Sequence, residues 1–192
     1  MSKKNYTPLL FSIISGAVAF TIASLLVFAT VAFAERQLYQ TLGMLGAYVF
    51  WVILFIGSGA ILLHRLVRRV MSLQRFATVY AISFSLYSTA WITSYFFMRS
   101  NTGEWVGSAT GSLSLSITLA IAFHMPQKIV SWSLFFFITH SLGYFSGSYI
   151  FEILHNSKGM ILWGITYGLG TGAGLGFILY DVKEKLVNVK SQ

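Results

Sequence analysis

The amino-acid sequence predicts an all-α integral membrane protein, a bundle of six transmembrane helices with both termini in the cytoplasm. Of its 192 residues, 56% are hydrophobic and only 9% are charged, whereas an ordinary soluble domain has about 25% charged residues. So few charges could not cover the surface of a soluble fold of this size, and most of the surface is expected to face lipid. Because every connection between the apolar stretches is short, residues 1–192 are interpreted as a single membrane domain.

Six apolar stretches approach the length of about 20 residues that a helix needs to cross the hydrocarbon core of a bilayer. In chain order they are residues 9–33, 42–63, 76–98, 107–123, 129–153 and 160–180. The fourth stretch is the shortest and the most polar. The connection between the first two, residues 35–41, contains Glu35, Arg36 and Gln37 and is expected to be a loop.

Lysine and arginine are distributed unevenly among the connections and the two ends of the chain. Ten lie on one predicted side: Lys3, Lys4, Arg65, Arg68, Arg69, Arg75, Lys128, Lys183, Lys185 and Lys190. The other side has Arg36, Arg99 and Lys158. Since short cytoplasmic loops are enriched in these residues, we expect both termini to be cytoplasmic, in the inner (cytoplasmic) membrane of a bacterium. Two basic segments, residues 64–70 and the tail at 181–192, are expected to contact membrane lipids, including the anionic lipids of the cytoplasmic face.

The chemistry available within the predicted spans is limited. No Asp, Glu, Lys or Arg lies in the middle of any span, although intramembrane charges usually mark ion pathways, proton relays and catalytic sites. The chain has no cysteine, which excludes thiolate nucleophiles and thiolate metal sites. Glu152 and His155 form one Glu-x-x-His pair, whereas carboxylate di-iron bundles use two. We therefore expect no enzymatic activity, no metal and no cofactor. A nucleic-acid partner is not expected, because it would need a basic face on a soluble domain.

The sixth stretch has a glycine at every fourth residue, at Gly164, Gly168, Gly172 and Gly176. Residues four apart share one face of a helix, so these glycines predict a groove without side chains. In lipid, such a groove allows another helix to approach closely. The first functional interpretation is therefore a structural or accessory subunit that docks through this face on a membrane-protein partner, or on a second copy of itself.

Aromatic residues and one histidine favour an alternative interpretation. His140 is the only histidine at membrane depth, Tyr144 shares its helix face, and the predicted orientation places Trp91, Tyr95 and Tyr167 at a comparable depth. The polar atoms of buried aromatic side chains need partners in the bundle or in a bound molecule. The alternative function is binding or transport of a small solute in a pocket formed by these five residues. If His140 is only structural, a neighbouring carbonyl, Tyr144 or a serine of the fourth stretch would satisfy it.

Overall fold

A computed structural model of the protein describes residues 8–190, which form five α-helices and one short 3-10 turn. The helices are α1 (Leu9–Val67), α2 (Leu73–Met98), α3 (Asn101–Ala122), α4 (Ile129–Leu154) and α5 (Ser157–Lys190), and the 3-10 turn is Pro126–Lys128. These residues contain no strand, so the all-helical prediction is confirmed for this part of the chain. Lys3 and Lys4, two of the residues behind the predicted orientation, lie outside it.

The prediction of six separate helices is wrong, because the residues expected to separate the first two spans are helical. Both apolar stretches belong to α1, which has 59 residues. A straight helix of that length would measure roughly 90 Å, far more than the ~30 Å hydrocarbon core. However, α1 is not straight. Gly43 has a φ of 70° and a ψ of 170°, which are non-helical values, and it divides the helix into an N-terminal arm (residues 9–42) and a C-terminal arm (residues 44–67).

The two arms of α1 lie against each other. The ring centroids of Phe20 and Phe55 are 5.2 Å apart, although these positions would be roughly 50 Å apart in a straight helix. The indole nitrogen of Trp51 donates a hydrogen bond to Thr30 Oγ1 at 3.0 Å. The chain therefore reverses direction at Gly43. A positive φ combined with an extended ψ is available essentially only to glycine, so this residue type permits the reversal.

Within residues 8–190, four helices are long and apolar enough to cross a membrane, namely α1, α3, α4 with the turn before it, and α5. The remaining helix, α2, is long enough to cross a membrane with its 26 residues, but it is not one of these four. Polar side chains, among them Ser85, Ser88 and Thr89, lower its hydropathy. Many large apolar side chains of the described helices are exposed, including Leu45 and Phe97. Soluble monomeric proteins rarely expose extensive apolar surface. The four helices and this surface fit a membrane protein.

The glycine face of α5 packs against the N-terminal arm of α1. Gly164, Gly168, Gly172 and Gly176 all lie on this contact. A Cβ atom added to Gly168 would lie 2.5 Å from Thr21 Cα, and one added to Gly172 would lie 2.8 Å from Ala17 Cα. Side chains at these positions would therefore force the two backbones apart. Because the arm covers this face, the face is not a free surface for a second protein.

Candidate functional site

A cavity of about 490 Å³ lies between both arms of α1 and helices α2, α4 and α5. Pockets for small molecules typically have volumes of about 300–1,000 Å³. The lining residues are Val27, Phe28, Tyr48, Trp51, Val52, Phe55, Ile56, Phe84, Ser85, Tyr87, Ser88, Thr89, Trp91, Ile92, Tyr144 and Tyr167. Aromatic rings dominate this wall, and none of these lining side chains is charged. The cavity is therefore suited to a ligand with a large apolar or aromatic surface.

The deep wall of the cavity is an aromatic cluster built by three helices. Phe55 of α1 stacks on Phe84 of α2 with ring centroids 5.2 Å apart, and Tyr167 of α5 lies 6.0 Å from Phe55. Phe84, Tyr87 and Trp91 come from one face of α2, because residues three and four apart are neighbours on a helix surface. Packing between helices therefore holds the wall in place.

His140 lies behind this wall, where it is fully buried. Its Nε2 is 2.9 Å from Tyr87 Oη, its Nδ1 is 3.2 Å from Thr171 Oγ1, and its ring stacks on Phe136 with centroids 5.7 Å apart. A neutral imidazole has one donor and one acceptor nitrogen. One of the two hydroxyls therefore donates to the ring and the other accepts from it. Through these bonds His140 positions Tyr87, whose ring lines the cavity.

Three of the five residues predicted to form a pocket line the cavity, namely Trp91, Tyr144 and Tyr167. Trp91 and Tyr144 meet edge to face with ring centroids 5.5 Å apart. The other two lie outside the lining. Tyr95 is exposed and stacks on Trp91 at 5.5 Å. His140 takes its hydrogen bonds from α2 and α5, rather than from Tyr144 or a serine of α3.

The five predicted pocket residues leave out several residues that the structure places in the wall. Phe84 and Tyr87 precede Trp91 on one helical face, so their spacing is a signal that could have identified them. No comparable signal exists for Trp51 and Phe55. They reach the cavity because α1 reverses at Gly43. The apolar pattern along the chain carries no information about the contact between the two arms that this reversal creates.

Two of the basic residues on the predicted cytoplasmic side are engaged within the protein. Lys128 Nζ lies 3.0 Å from Asp181 Oδ2, and the same carboxylate oxygen accepts a hydrogen bond from Trp132 Nε1 at 2.9 Å. Lys185 Nζ donates to the carbonyl oxygen of Phe123 at 2.9 Å. These contacts join the C-terminal half of α5 to the connection between α3 and α4. They therefore stabilise the bundle at this end.

Comparison of the chain with protein-family models, curated proteins and solved structures finds no significant match. No relative therefore supplies an activity or a ligand. The aromatic cavity, with His140 behind it, is the feature of the protein that points to a function.

Proposed function

We propose that the protein is an integral membrane protein that binds a small solute in the aromatic cavity. The observation that carries this proposal is a preformed space of about 490 Å³, lined by side chains from both arms of α1, α2, α4 and α5. Burial of apolar ligand surface stabilises a complex by roughly 25 cal/mol per Å², and the aromatic wall offers such a surface. Binding is proposed to be non-catalytic, because the lining side chains include no carboxylate and no histidine.

The accessory-subunit interpretation finds less support. It depends on a free glycine face on α5, and the N-terminal arm of α1 occupies that face. A Cβ added to Gly164 would lie 2.7 Å from Phe28 Cβ, so even the end of the groove near the cavity is filled. A protein partner would need a different surface.

We further propose that both termini are cytoplasmic, in a bacterial inner membrane. The support is the distribution of lysine and arginine along the chain, with Arg65, Arg68 and Arg69 as a compact basic group at the end of α1. Basic residues close to an anionic membrane surface contribute about 1 kcal/mol each to the attraction. Anionic lipids are therefore the proposed contact of this group.

The binding proposal is tested by mass spectrometry of the small molecules that stay with the protein during purification in a mild detergent. Val27 is buried in the cavity wall, so Val27→Trp places a large ring in the space. Val18 lies on the same arm and is exposed outside the cavity, so Val18→Trp is the matched control. We expect a retained compound in the parent and in Val18→Trp, and its loss in Val27→Trp.

Retention of the same compound at the same level in Val27→Trp, with the fold intact by circular dichroism, would place the compound elsewhere and contradict the proposal. A stoichiometric protein partner together with no retained small molecule would favour the accessory-subunit interpretation instead.

A further inference from the structure

The cavity has an open side, and the exposed residues around it all come from two elements. The deep residues Trp51 and Phe55 are each 9% exposed, whereas Tyr48 is 53%, Val52 is 55% and Ile92 is 48% exposed. Tyr48 and Val52 belong to the C-terminal arm of α1, and Ile92 belongs to α2. The mouth of the cavity is therefore the gap between this arm and α2.

The arm and α2 are in contact near the connection between them and part further along. A Cβ added to Gly59 would lie 2.5 Å from Tyr80 Oη, and Phe55 stacks on Phe84 at 5.2 Å. Beyond this contact, the lining side chains on both helices become exposed. The mouth therefore opens along the sides of two helices and not at an end of the bundle.

The aliphatic side chains at the mouth come from both helices. Val52 on the arm and Ile92 on α2 line the cavity and are exposed. In a membrane protein, exposed aliphatic side chains along the side of a helix face the acyl chains of the bilayer. This predicts that the mouth faces the hydrocarbon region.

The polar groups of the cavity are distributed to match an amphiphilic ligand. In the deep part, the Tyr87 hydroxyl is already bonded to His140, so a polar ligand group placed there would compete with an existing bond, which is costly in an apolar site. The lining donor that has no partner among residues 8–190 is the buried indole nitrogen of Trp91, next to the exposed Ile92 at the mouth. Ser85, Ser88 and Thr89 lie on the mouth side, on α2. The cavity therefore suits an apolar group in its depth and a small polar group at its mouth.

We propose that the ligand is a lipophilic molecule dissolved in the membrane, which enters sideways between the C-terminal arm of α1 and α2. This inference rests on the proposed binding function and adds the class of ligand and its route. The apolar portion of the ligand occupies the space beside Trp51 and Phe55. A water-soluble solute arriving from either aqueous face is the alternative that the experiment separates.

The test uses phosphatidylcholine vesicles whose acyl chains carry bromine, which quenches tryptophan fluorescence on close approach. The full-length protein is reconstituted with Trp51 as its only tryptophan, the other four being replaced by phenylalanine. Trp51 is nearly shielded from the outside, so we expect quenching only if an acyl chain enters the cavity. Ser88→Phe obstructs the mouth and should abolish most of this quenching. Ile82→Phe, on the exposed side of α2 outside the cavity lining, is the matched control and should leave it unchanged.

Quenching of Trp51 by aqueous iodide but not by brominated chains would overturn sideways entry and leave a cavity that opens to water. Absence of quenching by either agent would also overturn it. Mass spectrometry of retained compounds decides the binding function separately, so the two proposals fail independently. If the single-tryptophan protein does not fold, the quenching of Trp51 is obtained instead as the difference in fluorescence quenching by brominated chains between the parent and Trp51→Phe. A protein containing only Trp105, which is 49% exposed, should be quenched by brominated chains with or without Ser88→Phe.

Discussion

Replacement of Gly43 by alanine tests the feature on which the cavity depends, the reversal of α1. A residue other than glycine with a φ of 70° and a ψ of 170° is strained by about 1–3 kcal/mol. Apart from atoms of Gly43 and its two chain neighbours, no atom lies within 4 Å of the position that the new Cβ would occupy. Packing therefore neither adds to this cost nor offsets it, and Gly43→Ala should lower the free energy of unfolding by about 1–3 kcal/mol.

Gly57→Ala is the matched control for Gly43→Ala. Gly57 lies in the helical C-terminal arm of α1, and it too has no atom within 4 Å of an added Cβ. Alanine is about 0.8–1.0 kcal/mol more favourable than glycine inside a helix, so this substitution should be neutral or stabilising. The same methyl group is added in both variants, so the expected difference between their unfolding free energies isolates the backbone conformation at Gly43.

The free energies are measured by reversible unfolding of the purified variants in mixed micelles with a rising fraction of denaturing detergent, followed by circular dichroism. The ring contact between Phe20 and Phe55 and the bond from Trp51 to Thr30 depend on the reversal, so Gly43→Ala should also weaken retention of the bound compound. A Gly43→Ala protein as stable as Gly57→Ala would refute the assignment of the reversal to a glycine-only conformation.

Three further predictions use the same protein. Gly172→Ala should lose about 1–3 kcal/mol of unfolding free energy by overpacking, because its Cβ would lie 2.8 Å from Ala17 Cα on the N-terminal arm of α1 and closer still to the carbonyl oxygen of Gly16. Stability equal to the parent in the micelle assay would contradict that packing. His140→Phe should lose about 1–3 kcal/mol of unfolding free energy, because the buried hydroxyls of Tyr87 and Thr171 lose their hydrogen bonds to the imidazole, while mass spectrometry should still detect the retained compound. Loss of the compound at unchanged stability would give His140 a direct role in binding. The chain has no cysteine of its own, so introduced cysteines report the orientation. Ser100→Cys should react with a membrane-impermeant maleimide in intact cells, and Gln127→Cys should react only after permeabilisation. The reverse pattern would contradict the proposed orientation.

The helical and apolar character of the chain can be predicted from the sequence because both are local properties. Stretches of about 20 apolar residues exceed what a soluble fold can use, and four described helices have the length and composition to cross a membrane. The charge distribution that predicts cytoplasmic termini is likewise local to the connections, and the orientation stays a prediction. The number of helices was not predictable in this way. Polar residues at 35–41 indicate a loop, yet they continue the helix up to Gly43.

The candidate site was predictable only where its residues share a helix face or, as for Tyr167, a predicted depth in the membrane. Tyr144 follows His140 by four residues, and Trp91 belongs to a regular aromatic face of α2, so the spacing identified them. The partners of His140, by contrast, are Tyr87 and Thr171 on two other helices. A helical repeat defines which residues share a face, but it does not define which faces meet.

From the sequence by itself, then, come an apolar helical chain, a glycine face on its last helix and a set of aromatic residues at membrane depth. Only the tertiary structure decides that the N-terminal arm of α1 fills the glycine face and that Trp51 and Phe55 join the cavity wall. The physical reason is that hydropathy averages over many residues, whereas the reversal of α1 depends on the φ and ψ angles of Gly43 alone. The glycine face is likewise closed by backbone contacts between positions such as Gly16 and Gly176. These positions are far apart in the chain and meet only when the N-terminal arm of α1 packs on α5.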